Sequence, residues 1–234
     1  MPIKIIAEIG HNHNGDMGLA RELISAAASS GAHIAKFQLF DAKKLFSRVG
    51  NPWYEYNLST ELSQMQTSEL ASFCESQNIE FMASAFDVER LMWLENLNVK
   101  AHKLASRSLN DKTLIVKMLE TQKPLLVSLG MWHGEEFPPW CVSQQTYFLH
   151  CISEYPAPYE KLRLASIDFS KYSGFSDHSI GIQAACIAIA RGAQIVEKHF
   201  TLDKDLFGPD HQGSMEPDEL RQLVQFTQSV EKCL

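Results

Sequence analysis

The chain has no long apolar run. No stretch of its 234 residues approaches the roughly 20 consecutive apolar residues that a membrane-spanning helix needs. The opening MPIKIIAEIGHNHNG meets charge and glycine almost at once, which excludes a secretory h-region, and a cytoplasmic protein is expected. Paired cysteines are also missing. Cys74, Cys141, Cys151, Cys186 and Cys233 are odd in number and show no CxxC spacing. That pattern argues against a zinc ribbon or a disulfide framework and fits reduced thiols. Nor is there a basic excess: 21 Lys and Arg face 28 Asp and Glu, for a net charge of -7. A nucleic-acid binder is disfavoured on that balance, whereas an anionic small molecule needs only a few local lysines. Low-complexity linkers are absent, and no GxGxxG follows the first strand-like segment.

What is present is a repeated alternation. Eight short apolar, β-branched or aromatic segments recur: KIIAEIG (4–10), HIAKFQLF (33–40), IEFMASAF (79–86), AHKLAS (101–106), PLLVSLG (124–130), TYFLHCIS (146–153), YSGFSDH (172–178) and QIVEKHFT (194–201). Most are separated by segments of helical period, such as LARELISAAASSG, TSELASFCESQN and VERLMWLENLN. Asp111 and Asp218 stand near helix starts, and Pro217 suits a first helical turn. Strand then helix, to a count of eight in about this length, predicts an α/β fold of the (β/α)8 TIM-barrel type, as a single domain over residues 1–234. A doubly wound sheet is the rival, though it usually has fewer strands. Two units are irregular. Residues 41–66 form a long aromatic second loop that would overhang the top of the barrel. Residues 131–145, MWHGEEFPPWCVSQQ, are short and Pro-rich, so the fifth helix is expected to be shortened or missing.

In such a barrel the active site lies at the C-terminal ends of the strands. Polar residues fall there on every predicted strand: Glu8; Lys36 and Gln38; Ser84; Lys103 and Ser106; Ser128; His150 and Ser153; Ser176, Asp177 and His178; Glu197 and His199. A buried strand lysine costs several kcal/mol unless paired, so polar ends on all eight are hard to explain as packing. Taken singly, Lys36 or Lys103 reads equally as a salt-bridged structural lysine, with Glu8 its partner. His178 and His199 would each be a core histidine alone. On adjacent strands they suit a divalent first-row metal. His11 and His13 in GHNHNG look like a ligand pair, but a loop can use both to bond its own backbone.

The segments IAEIGHNHNGD, AKFQ, FMASAFD, HKLAS, VSLGM, LHCISEYPAPYE, GFSDHSIG and VEKHFTLDKDLFGPDH, in this order, resemble the N-acetylneuraminate (sialic acid) synthase family over nearly the whole chain. The resemblance implies condensation of phosphoenolpyruvate with an N-acetylated aldose such as N-acetylmannosamine, giving a nine-carbon 2-keto acid and phosphate. It implies a divalent metal, Mn2+ or Mg2+, held by His178 and His199. It implies that Lys36 and Lys103, with Ser84, Ser106, Ser128 and Ser176, hold the phosphate and carboxylate of phosphoenolpyruvate. Glu8, Gln38, Tyr155 and Asp210 match positions near sugar and metal, and Ser153 a position near the substrates.

There are departures. Where the family's fourth strand runs into K-I-A-S-G-E, this chain has KLASRS, so Arg107 stands for the glycine and Ser108 for a glutamate thought to move a proton. A serine without a neighbouring base is a poor general base. Relatives usually carry a C-terminal antifreeze-like domain and pair as homodimers; here residue 234 falls at the end of the eighth helix. The expectations are therefore a metal-dependent synthase, a synthase with a changed acceptor or weak activity, or a non-catalytic paralogue that binds phosphoenolpyruvate or sugar and docks on a partner protein.

Overall fold

Strand parity builds the fold. In the computed structural model, which describes residues 3–141 and 145–233, eight parallel strands close into a barrel in sequence order. They are β1 Lys4–Gly10, β2 Ile34–Leu39, β3 Glu80–Ala85, β4 His102–Leu104, β5 Leu125–Ser128, β6 Thr146–Cys151, β7 Gly174–Asp177 and β8 Ile195–His199. Alternate residues point to opposite faces of a strand. One parity packs Ile6, Ile34, Met82 and Leu126 together inside the barrel, against Ala101, Tyr147 and Ile195. The other parity, including Ile5, Ala7, Phe37, Phe81, Val127 and Val196, belongs to the larger core. Two residues beyond each of six interior positions stand Glu8, Lys36, Ser84, Lys103, Ser128 and Glu197. The barrel thus has an apolar N-terminal half and a polar C-terminal half. Gly174 is required by closure: a Cβ there would lie 2.1 Å from the Ile195 carbonyl oxygen.

The helices are α1 Met17–Ser29, α2 Ala42–Leu45, α3 Tyr54–Ser59, α4 Gln64–Ser76, α5 Val88–Asn96, α6 Lys112–Glu120, α7 Tyr159–Leu162, α8 Gln183–Ala190 and α9 Pro217–Cys233. Short polar side chains start several of them. Asp16, Asp87 and Asp111 accept backbone N–H groups of α1, α5 and α6, and Ser63 with Gln66 makes a capping box at α4. Such a cap contributes about 1 kcal/mol. The N-terminus is tied to the last helix, where the Glu231 carboxylate accepts from Ile3 N at 2.7 Å.

Two connections carry little helix. After β5 the described residues hold only a 3-10 turn at Pro139–Cys141; Val142, Ser143 and Gln144 of the predicted irregular unit lie outside the described residues. After β6 only the four-residue α7 and a 3-10 turn at Leu164–Ser166 form, a shortening the sequence pattern did not single out. Pro156 and Pro158 stand just before α7 and limit helix there. Aromatic rings cover the wall instead. Phe137 stacks on Phe148 at 4.3 Å and meets Tyr172 edge-on at 5.0 Å. His150 belongs to this outer layer: it stacks on Phe175 at 5.8 Å, with Nε2 3.1 Å from the Leu162 carbonyl. The sequence reading placed it among the polar strand ends, but its parity turns it away from the barrel.

Candidate active site

A cavity of about 760 Å3 opens at the C-terminal end of the barrel. All thirteen residues to which the resemblance gives a site role line it: Glu8, Lys36, Gln38, Ser84, Lys103, Ser106, Ser128, Ser153, Tyr155, Ser176, His178, His199 and Asp210. Most share the inward parity of their strands; Ser106, Ser153, Tyr155 and Asp210 come from the turns beyond β4, β6 and β8. The long second loop does overhang the site, contributing Phe46, Asn51, Trp53 and Asn57 to its lining.

Its floor is a chain of buried charges. Lys36 Nζ lies 2.7 Å from Glu8 and 3.6 Å from Glu197, and Lys103 Nζ lies 3.7 Å from Glu197. Lys103 also donates to Ser128 Oγ at 2.8 Å, Lys36 to Ser84 Oγ at 3.3 Å, and Ser176 Oγ to Glu197 at 3.0 Å. Burial alone would raise the Glu197 carboxyl, but Lys103 and Lys36 overcome it and hold the group at about 2. The two lysines diverge. Burial pushes Lys103 below the ordinary ammonium value despite Glu197; for Lys36 burial works the same way, yet Glu197 and Glu8 together take it above. Glu197 was noted at a strand end but not chosen as a site residue. The signal was available, since it shares the parity of His199 two residues on.

The histidine side of the cavity is less satisfied. The rings of His178 and His199 lie 5.9 Å apart, with Tyr155 4.1 Å from the first and 5.9 Å from the second. His178 Nδ1 is 2.8 Å from the Ile152 carbonyl, an acceptor, so the proton sits on Nδ1 and Nε2 keeps its lone pair. Burial works against a charged His178, while Cys151, with Sγ 3.7 Å from Nδ1, and the Ile152 carbonyl outweigh it and raise the group. Burial keeps His199 below its ordinary value although Asp210 and Glu8 oppose this. Its Nδ1 is buried without a hydrogen-bond partner, 4.0 Å from Asp210. Two neighbouring imidazoles, one with an orphaned nitrogen, and a nearby carboxylate fit a divalent cation. Among the described residues no group of three or more His, Cys, Asp or Glu is assembled for one, so substrate oxygens or water would complete such a site.

Asp210 is held from behind. Ser214 Oγ donates to its carbonyl at 2.7 Å, and Asn12 Nδ2 donates to Ser214 Oγ at 2.9 Å. His211 meets Thr201 Oγ1 at 2.7 Å and Asn14 Oδ1 at 3.2 Å, and the Tyr56 hydroxyl lies 2.7 Å from the same Asn14 oxygen. The structure separates the two histidines of GHNHNG. His11 lines the cavity, with Nε2 3.1 Å from Gln38, while His13 is buried outside it and accepts from Gly15 N. Gly10 gives this strand end its turn: φ is +54°, and a Cβ would press on Glu8, Gln38 and His199 at 3.3–3.4 Å. Ser108 is buried in the 3-10 turn Ser106–Ser108 and is not part of the cavity lining, whereas Arg107 and Asn110 are.

A closed parallel barrel with this mouth is the architecture of a TIM-barrel enzyme. The chain belongs to the NeuB family, whose sequence profile matches residues 23–234. It is 38% identical over 244 residues to the uncharacterized protein MJ1065 of Methanocaldococcus jannaschii, covering 100% of this chain and 72% of that one. It is 35% identical over 258 residues to the N,N'-diacetyllegionaminic acid synthase of Legionella pneumophila, covering 98% of this chain and 72% of the relative. Among solved structures, the N-acetylneuraminic acid (sialic acid) synthetase of Leptospira borgpetersenii, in complex with citrate, superposes with a TM-score of 0.91 at 33% identity, over 100% of this chain and 85% of that one. No helix among the described residues is long and apolar enough to cross a membrane.

Proposed function

We propose that the chain condenses phosphoenolpyruvate with an N-acetylated aldose to give a nonulosonic 2-keto acid and phosphate, with a divalent metal. The observation that carries this reading is the meeting of buried Lys36 and Lys103, a ring of serine hydroxyls and the His178–His199 pair on one cavity. Lysine charge and hydroxyl donors suit an anion with both phosphate and carboxylate. In the reaction, C3 of phosphoenolpyruvate bonds to the aldehyde carbon of the acceptor. Water adds at C2, and the bond from C2 to the phosphate-bearing oxygen breaks as phosphate leaves. Lys36 and Lys103 hold the donor, fixed by Glu8 and Glu197. Gln38, which donates to Glu8 at 2.8 Å, presents its amide beside the acceptor. A cation at His178 and His199 would polarise the acceptor aldehyde. Asp210 and Glu8 are the carboxylates placed to orient the sugar or accept a proton.

The second reading, a paralogue that binds these molecules without turnover and docks on a partner, rests on Ser108: where the resemblance implies a carboxylate, this chain has a serine outside the cavity lining. Both are tested by phosphate release from phosphoenolpyruvate with Mn2+ and a panel of N-acetylated hexoses including N-acetylmannosamine, with mass analysis for a 2-keto acid. Aldose-dependent release is expected. Binding of Mn2+ and phosphoenolpyruvate with no release from any aldose would overturn the synthase reading in favour of the binding protein.

A further inference from the structure

The cavity holds its cations at two depths. Lys36 and Lys103 are each about 2% exposed and lie within 4.0 Å of carboxylates, and Lys198 is closed off by Asp177 at 3.1 Å. Arg107 differs on both counts. It is exposed at the rim, and among the described residues that line the cavity it is the one Lys or Arg without a carboxylate within 4.0 Å. It is nevertheless placed. The guanidinium lies over the Phe46 ring, 5.1 Å from its centroid, and Nη2 reaches the Leu45 carbonyl at 3.5 Å. Stacking leaves the edge of the guanidinium, with most of its five N–H groups, available to a ligand.

Position around the ring gives this cation its partner. The strands close in order from β1 to β8, so the turn after β4 faces β8 across the mouth. His178 and His199, beside which the acceptor aldehyde would lie, end the β7–β8 side. A sugar anchored there extends its far end toward the β4 turn, over a donor held on the deep lysines. Asn51 and Asn110 also line the cavity and add neutral hydrogen-bonding groups to it.

Resting on the synthase reading, we infer that Arg107 is the specificity-determining residue for the acceptor, selecting an aldose that carries an anionic group, phosphate ester or carboxylate, at the end remote from its aldehyde. A planar fork matches either anion with two parallel hydrogen bonds. Removing charged hydrogen bonds of this kind weakens binding by about tenfold to a hundredfold. Because the donor uses the deep lysines, the change falls on acceptor affinity alone.

The test uses acceptors that cannot react: the alditol of N-acetylmannosamine, its 6-phosphate, and the alditol with a carboxylate in place of the terminal hydroxymethyl group. Each is titrated calorimetrically into the wild-type chain and into Arg107→Gly and Arg107→Lys, with Mn2+ and phosphoenolpyruvate present. The wild type should bind an anionic alditol at least about tenfold more tightly than the neutral one, and whichever anion binds better identifies the group. Arg107→Gly should erase that preference while phosphoenolpyruvate affinity stays within about threefold; Arg107→Lys, a point charge without the fork, should keep part of it. Equal binding of neutral and anionic alditols by the wild type overturns the inference. So does a loss of phosphoenolpyruvate affinity as large as the loss for the alditol. A chain that binds no phosphoenolpyruvate sinks the synthase reading instead, and the same titration without the donor still decides the role of Arg107.

Discussion

Replacing Glu197 with glutamine tests the charge chain at the floor of the cavity. The carboxylate sits between two ammonium groups at 3.6 and 3.7 Å, all nearly out of contact with solvent. Its carboxyl is held at about 2, against 4.5 for the free group. At about 1.4 kcal/mol per pH unit, that gap corresponds to roughly 3 kcal/mol of stabilisation at neutral pH. Glutamine keeps the shape and can still bond Ser176, but it leaves Lys36 and Lys103 with Glu8 alone. Buried Lys103 then has an escape, because it can release its proton. The distance from its reference value of 10.5 to pH 7 caps the loss at about 5 kcal/mol. A cost of roughly 3–5 kcal/mol lowers the melting temperature by roughly 6–20 °C in a domain of this size. The pH dependence has a defined sign. A depressed carboxyl stabilises the fold fully above 4.5, and the contribution fades as pH falls toward 2. Thermal unfolding followed by circular dichroism from pH 2 to 8 should therefore show a wild-type advantage at neutral pH that closes as pH falls below about 4.5. A variant as stable as wild type at pH 7, or a difference unchanged at pH 3, would refute the idea that the lysines hold Glu197 ionised.

Three further outcomes follow from the same geometry. His199→Ala should abolish Mn2+ binding and leave the far-ultraviolet spectrum unchanged, since the buried Nδ1 has no protein hydrogen bond to lose; micromolar binding retained by the variant would refute the ligand assignment. Tyr56→Phe should cost about 1–2 kcal/mol in denaturant unfolding and slow phosphate release, because the hydroxyl at 2.7 Å from Asn14 braces the loop that carries Asp210. Unchanged stability and turnover would show that the brace is dispensable. Gly174→Ala should destabilise the barrel by roughly 3 kcal/mol, as its Cβ would meet the Ile195 carbonyl oxygen; wild-type unfolding would mean that β7 and β8 can part freely there.

The closed barrel could be read from the chain because two codes agree along it. Each strand alternates between positions facing the helices and positions facing the interior, and the interior code turns from apolar to polar partway along: Ile6 then Glu8, Ile34 then Lys36, Met82 then Ser84, Ile195 then Glu197 and His199. Where polar residues do not follow parity, the reading fails. His150 is polar at the end of a strand, but it is one residue out of step with Cys151, which lines the cavity. The short sixth helix escaped notice because YEKLRLAS has helix-forming residues; what ends the helix is a left-handed Arg163 at φ +46° leading into a 3-10 turn, which the residue types do not announce. The position of Arg107 was likewise unreadable, since a turn residue has no parity and the Phe46 ring and Leu45 carbonyl that fix its direction are distant in sequence.

The same charges bear on how donor and metal would bind. Setting aside the closed Asp177–Lys198 pair, three carboxylates line the cavity, Glu8, Glu197 and Asp210, and three cations, Lys36, Lys103 and Arg107. The site is therefore near neutral when empty. A molecule with both a phosphate and a carboxylate brings at least two negative charges into a region where burial penalises an imbalance. A divalent cation restores the balance; without one, a proton must be taken up. Phosphoenolpyruvate and Mn2+ should accordingly strengthen each other's binding by the same factor, on the order of ten or more. Titrating each in the absence and presence of the other measures that factor. Repeating the metal-free titration in buffers of different ionisation enthalpy detects the proton. Independent binding of the two, together with no proton uptake, would mean that the lysines alone neutralise the donor and that the buried carboxylates are already protonated, against the low value found for Glu197.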